Sequence, residues 1–199
     1  MVKTIEYLID ALKSLPGVGK KQAISIAYFL INQDDKYVEE LIKRIRETKT
    51  NVFLCTQCNN YTDGQKYCSI CLDETRDQTK LCVVKTVEEL NKIEATNFYH
   101  GLFFVLNDEI DVRTKKNISS ETIKKLIVFL EKKQFEEVIL ATNLTLNGES
   151  TAIYLKKVIN QILPEANVYR IAAGLPFNSQ IDYADETTLK HAFNNKVKF

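Results

Sequence analysis

The chain contains no tryptophan and only two histidines among its 199 residues. It has no uninterrupted apolar run of about 18 residues, so no segment is suited to spanning a membrane. The opening Met1-Val2-Lys3-Thr4-Ile5-Glu6 lacks the apolar block of a signal peptide. No Gly-rich loop ending in Lys-Ser or Lys-Thr occurs, which removes the phosphate cradle that ATP hydrolysis requires. Excess charge is lacking too: the formal net charge is +1, so any polyanion must be held by a local patch, not a bulk field. His100 and His191 have no evident partners and read as surface or packing residues. The missing tryptophan, beside abundant Lys, Ile and Asn, is compositional and carries no mechanism.

What is present begins with cysteine. Cys55-Thr56-Gln57-Cys58 is followed, after nine residues, by Cys68-Ser69-Ile70-Cys71. Two close pairs of thiolates joined by a polar ribbon with one glycine suit a tetrahedral Zn²⁺. Two disulfides or free thiols are the alternative. A set of four cysteines leaves no open position for water, so the zinc reads as structural, one per chain. Metal-type spacing without a signal sequence points to a reducing cytoplasm. A hydrophobic content of 45% supports a real core in one large domain or two small ones.

Before the cysteines, residues 1–50 read as helices. Ile5, Leu8, Ile9, Leu12 and Leu15 keep helical spacing, as do Ala23, Ile24, Ala27, Leu30 and Ile31. A third helix is expected from Asp34 or Asp35 through Val38, Leu41, Ile42 and Ile45. The break between the first two, Gly17-Val18-Gly19-Lys20-Lys21, permits a tight turn with outward N–H groups at a helix start. Two lysines add charge there. This is the shape of a helix-hairpin-helix motif, with Val18 plugging the gap and the backbone facing a DNA phosphate without sequence preference. A plain helical turn with solvated lysines is the competing reading.

After the cysteines the rhythm alternates between strand and helix. Strands are expected at 80–84, 102–106, 137–141 and 167–171. Helices are expected after Thr86, whose Glu89 stands at capping-box distance, after Ser119 or Ser120, over Ser150–Leu163, and after Asp185. Such alternation predicts a mostly parallel sheet covered on both faces, with function on loops past the strand ends. Cys82 reads as a packing residue. Of the candidate loops, 141–151 offers one acid, Glu149, and the first strand ends in the cation Lys85. Mg²⁺-dependent phosphoryl chemistry is thus poorly supplied. A helix-start acid is the bland reading of Glu149.

Taken in order, Leu15-Pro16-Gly17-Val18-Gly19, the four cysteines, Thr75-Arg76-Asp77, Cys82-Val83-Val84, 138–143, Gly148-Glu149 with Thr151-Ala152, and Arg170-Ile171-Ala172 through Gly174-Leu175-Pro176 to Tyr183-Ala184-Asp185-Glu186 resemble the RecR family of bacterial recombination mediators. The resemblance implies a helix-hairpin-helix region (1–53), a four-cysteine zinc finger (54–75), a Toprim domain (76–172) and a C-terminal Walker-B-like segment with an oligomerisation tail (173–199). It implies a non-catalytic DNA-repair protein, ring-like tetramer or dimer, that works with RecO, and in some lineages RecF, to load RecA on single-stranded DNA. Its DNA contacts would fall on Gly17, Val18, Gly19, Lys20 and Lys21. Glu149 would be the Toprim acidic position, a partner contact or a weak Mg²⁺ ligand.

The chain departs from the family pattern at several places. Lys20 replaces a proline and Ser25 an arginine. Lys85 and Asn147 replace acids. A charged stretch, 107–119, replaces a Gly-Pro-containing loop, and Asn178-Ser179 replaces paired glycines. A Mg²⁺-dependent Toprim enzyme and a scaffold that never touches DNA therefore stand beside the mediator reading.

Overall fold

The computed structural model describes residues 2–172, 174–175 and 178–196. The chain forms two compact units, Met1–Val52 and Phe53–Phe199.

In the first unit, α1 (Lys3–Lys13) packs on α2 (Lys20–Ile31) around Ile9, Ala23 and Ala27, with Ile5, Leu8, Leu12, Val18 and Ile24 at the margin. Alanines at 23 and 27, one turn apart, let the two backbones approach closely. The third helix, α3 (Asp35–Asn51), begins at Asp34, whose carboxylate accepts from the Tyr37 N–H at 2.7 Å. Its apolar stripe predicts an inward face, yet no residue of α3 is buried, and Leu41 and Ile45 are exposed. Amphipathic spacing specifies a face, but only a neighbouring element can bury it.

A two-stranded ribbon, β1 (Val52–Leu54) and β2 (Tyr61–Asp63), begins at the last residue of the first unit and opens the second, followed by the short α4 (Ser69–Leu72). Then come β3 (Asp77–Val84), α5 (Val87–Glu94), β4 (Gly101–Val105), α6 (Ser120–Lys132), β5 (Glu137–Ala141), α7 (Leu146–Ile162) and β6 (Asn167–Arg170). The last four strands form one parallel sheet in the order β4-β3-β5-β6. Every residue of β4 is buried, as a strand covered on both faces requires. The edge strand β6 alternates between exposed and half-buried positions. α6 packs on α7, and the right-handed crossover rule puts α5 on the opposite face. Phe103, Phe104, Phe129, Leu81 and Leu155 fill the core, with Phe104 stacked on Phe129 at 6.0 Å.

The Thr86–Glu89 capping box is present in full, and Ser119 caps α6 by accepting from the Thr122 N–H. Two element starts differ from expectation by several residues. β3 starts at Asp77, where the Asp77 N–H donates to the His100 carbonyl at 2.9 Å. α7 starts at Leu146, because Thr145 caps it by accepting from the Gly148 N–H. The last helix is α8 (Glu186–Asn194), which Asp185 caps through Thr188. Beyond β6, the sequence also makes 172–179 a candidate functional loop, of which Ala173, Pro176 and Phe177 lie outside the described residues.

Candidate metal centre and nucleic-acid interface

All four sulfurs of Cys55, Cys58, Cys68 and Cys71 lie within 4.8 Å of one another. The Cys55–Cys71 pair is 3.9 Å apart and the Cys58–Cys68 pair 3.5 Å. A tetrahedron with metal–sulfur bonds of about 2.3 Å has edges of about 3.8 Å, so the spacing fits one Zn²⁺-sized ion. Disulfide bonding, which needs sulfurs about 2 Å apart, is not made. Hydrogen bonding among the thiols, Cys58 foremost, holds Cys55 well below the ordinary thiol range, while the contact with Cys55 pushes Cys58 far above it. A divalent cation is what favours four thiolates together.

Local backbone places these sulfurs. Asn59 takes a left-handed conformation (φ 61°), and its N–H donates to the Cys55 carbonyl at 3.0 Å, closing a tight knuckle around the first pair. Asn and Asp tolerate this conformation better than most residues. The Cys55 N–H donates to the Asn60 carbonyl at 2.6 Å. The ribbon is tied to the sheet: the Val105 N–H donates to the Cys58 carbonyl at 2.8 Å, and the Asn59 amide donates to the Val105 carbonyl at 3.1 Å. Arg76, 11% exposed, then joins the connector to the sheet by donating to Glu94 and to the Gly101 carbonyl.

In the first unit, Gly17 adopts φ +76°, the left-handed turn that glycine permits without cost. Val18 packs against the small α1–α2 core. Gly19 is the N-cap of α2 and so contributes no capping side chain, and the first turn of α2 carries no acid. The first intrahelical bond runs from the Ala23 N–H to the Gly19 carbonyl at 2.9 Å. The Val18 N–H is taken by the Leu15 carbonyl at 3.2 Å, but the amides of Lys20, Lys21 and Gln22 keep their donors, the positive end of the helix is uncompensated, and the exposed Lys20 and Lys21 stand beside it.

At the carboxyl end of the sheet, the crevice between β3 and β5 is where the connections diverge to opposite sides. Glu149 lies in the first turn of α7, not in a loop, and pairs with Arg170 at 2.8 Å. Arg170 also donates to the carbonyls of Leu140 (2.9 Å), Thr142 (2.7 Å) and Asn143 (2.9 Å). It is the fastener of this loop, and nothing in its sequence surroundings signals that role. Lys85 pairs with Glu109 at 2.5 Å. The Val112 N–H donates to Asn147 Oδ1 at 3.1 Å, and the Ile110 N–H to Thr151 Oγ1 at 2.9 Å. The charged stretch after β4 is thus strapped across the strand ends, and both residues that replace family acids, Lys85 and Asn147, hold it down. Asp182 falls in a 3₁₀ turn (Ile181–Tyr183), and Asp185 is engaged in capping α8.

Fold and site define a Toprim protein with an N-terminal helix-hairpin-helix and a four-cysteine, metal-competent ribbon. Residues 5–49 match the family description "RecR, helix-hairpin-helix", residues 79–172 "Toprim domain", and residues 174–197 "RecR, C-terminal". Proteins named "Recombination protein RecR" are similar along their whole length. The one from Ureaplasma parvum serovar 3 is 46% identical over 200 residues, covering 100% of this chain and 98% of that protein. That from Treponema denticola is 37% identical over 198 residues, covering 100% of both. That from Natranaerobius thermophilus is 35% identical over 194 residues, covering 98% of this chain and 96% of its own. The chain belongs to the RecR family of recombination proteins.

Proposed function

We propose that this chain is a DNA-binding mediator of recombinational repair that grips the phosphate backbone and transforms no covalent bond. The observation that carries the reading is the start of α2: a positive helix end with neither capping side chain nor acid, beside a Gly17 turn and two exposed lysines. Backbone amides and ammonium groups recognise phosphate irrespective of sequence. The cysteine ribbon is proposed to hold one structural Zn²⁺. Zinc there would pin the segment that joins the sheet to the N-terminal unit, supplying order and no reaction. The RecR family membership supports RecO, in some lineages RecF, and through them RecA on single-stranded DNA as the working partners, in a cytoplasmic setting. The region boundaries are proposed as 1–53, 54–75, 76–172 and 173–199.

One contact of this kind is weak, so several copies acting together give useful affinity. Exposed Phe29, Ile31 and Ile45 in the first unit are apolar surface that a second copy would cover, which supports a homo-oligomer. Against a Mg²⁺-dependent phosphodiester enzyme stand Lys85 and Asn147 at acid positions and the engagement of Glu149 by Arg170. Reversing charge in Lys20→Glu/Lys21→Glu is expected to lower affinity for mixed-sequence DNA at least about tenfold at low salt, and to flatten its salt dependence. Unchanged binding removes the hairpin as the phosphate contact, and a wild type that binds no DNA favours a scaffold that does not touch DNA. Mg²⁺-dependent strand cleavage by the purified wild type, lost in Glu149→Gln, would overturn the mediator reading.

A further inference from the structure

Between the cysteine ribbon and α6 lies a cleft of about 380 Å³ that neither the metal centre nor the hairpin uses. Its ribbon wall carries Lys66 and Tyr67, its helix wall Lys124, Lys125 and Lys132, and Phe129 lies in its floor. The helix wall follows from sequence, since residues three and four apart on α6 fall in one stripe. Lys125 is paired with Glu121 at 3.2 Å. Among the described residues, Lys66, Lys124 and Lys132 have no carboxylate within ion-pair distance. The Lys66 ammonium instead lies 5.3 Å from the centre of the Tyr67 ring, a cation–π contact that holds charge and ring at the same rim.

Four ammonium groups therefore face one carboxylate in a single cleft, on a chain whose net charge is only +1. Gathering like charges costs free energy that a bound polyanion returns. We infer that this cleft binds the phosphodiester backbone of single-stranded nucleic acid. Its volume suits a group of about drug size, a nucleotide, not a duplex. From Lys124 to Lys132 the helix advances about 12 Å, so the ammonium groups are spread along the cleft and can meet more than one phosphate of a strand. Lysine, a point charge on a flexible stem, serves phosphates of any sequence. A partly buried ring beside a row of cations is the combination that single-strand surfaces use for stacking and charge together. The inference rests on the reading that this protein handles DNA, but on residues of the other unit.

The test uses the full-length, zinc-loaded protein and fluorescent oligo(dT), with anisotropy titrations across a salt series. Lys124→Gln/Lys132→Gln is expected to weaken binding about tenfold or more at low salt. Its slope of log K against log salt becomes shallower by about 1.4, or about 0.7 per lost contact. Lys20→Gln/Lys21→Gln is expected to lower the slope independently, and the combined variant to lose both increments. An unchanged slope in the cleft variant beside a flattened one in the hairpin variant overturns the cleft alone. The reverse overturns the hairpin contact and leaves the cleft standing, and no binding by wild type overturns both. If a polyglutamate peptide loses affinity in the cleft variant while oligo(dT) does not, the cleft is an acidic-protein site and the inference fails. Should the double variant misfold by circular dichroism, Lys66→Gln reads the same question with an expected slope change of about 0.7.

Discussion

Replacing Arg170 by alanine removes one side chain from five hydrogen-bond contacts, and the structure separates what each is worth. Two contacts go to Glu149, whose side chain is 48% exposed, so this ion pair contributes less than about 1 kcal/mol. The other three go to the carbonyls of Leu140, Thr142 and Asn143, and the first two of these residues are only 2% exposed. The Leu140 carbonyl keeps the Ile171 N–H at 3.5 Å, whereas the buried Thr142 carbonyl is left without a donor, which costs about 1–3 kcal/mol. Because Arg170 is itself 24% exposed, water reaches part of the gap, and the total for Arg170→Ala comes to about 3 kcal/mol. For a chain of this length that is a fall in the melting midpoint of about 6–12 °C. Glu149→Gln should cost less than about 1 kcal/mol, and Arg170→Lys, which cannot span three carbonyls, should recover less than half the loss. Urea unfolding followed by far-UV circular dichroism measures all three, with tyrosine emission as a second probe in a chain without tryptophan. If Glu149→Gln proves as damaging as Arg170→Ala, the ion pair and not the carbonyl clamp fastens the loop, and the reasoning is wrong.

Two further outcomes are expected. Cys58→Ser should bind less than one zinc per chain and melt earlier than wild type, because a metal held by four thiolates couples to folding; a variant that keeps full zinc and stability would refute the metal centre. At Asp108, burial opposes the charged form, but the Lys116 ammonium and the backbone N–H groups of Glu109 and Ser119 outweigh it and hold the carboxyl below its ordinary range. A carboxyl depressed by folding stabilises above its unfolded pKa, about 3.9, and loses that contribution as pH falls through the folded value. The stability difference between wild type and Asp108→Asn should therefore be constant above about pH 5 and shrink below about pH 4. A difference that stays level down to about pH 3 would show that Asp108 is not stabilised in its ionised form.

Local chemistry is legible in the sequence wherever the partners are near in the chain. The Cys55–Cys58 and Cys68–Cys71 spacing, the Thr86–Glu89 box, the caps at Asp34, Ser119 and Asp185, and the buried run of β4 all concern residues within a few positions of each other. Arg170 is invisible at that level because its partners lie 21 to 30 residues upstream, and an arginine at a strand end carries no periodic signal. Glu109 reads as one more charge in a polar loop until the parallel pairing of β3 and β4 brings it beside Lys85. The start of α7 is hidden because Thr145 is a capping residue type amid other polar residues, and a helix containing Gly148 does not advertise its first turn. Gly148 is nonetheless required there, since a Cβ at that position would meet the Asn143 carbonyl oxygen at 2.0 Å.

The strap over the sheet's carboxyl end has an evolutionary corollary. Lys85 and Glu109 follow different strands and form a half-buried pair, so the two positions do not drift independently. Placing an acid at position 85 first would set two carboxylates face to face; removing Glu109 first would leave a lone ammonium. A mutational route to an acid at 85 therefore has a preferred order, through 109 and then 85, set by ordinary charge repulsion between two facing carboxylates.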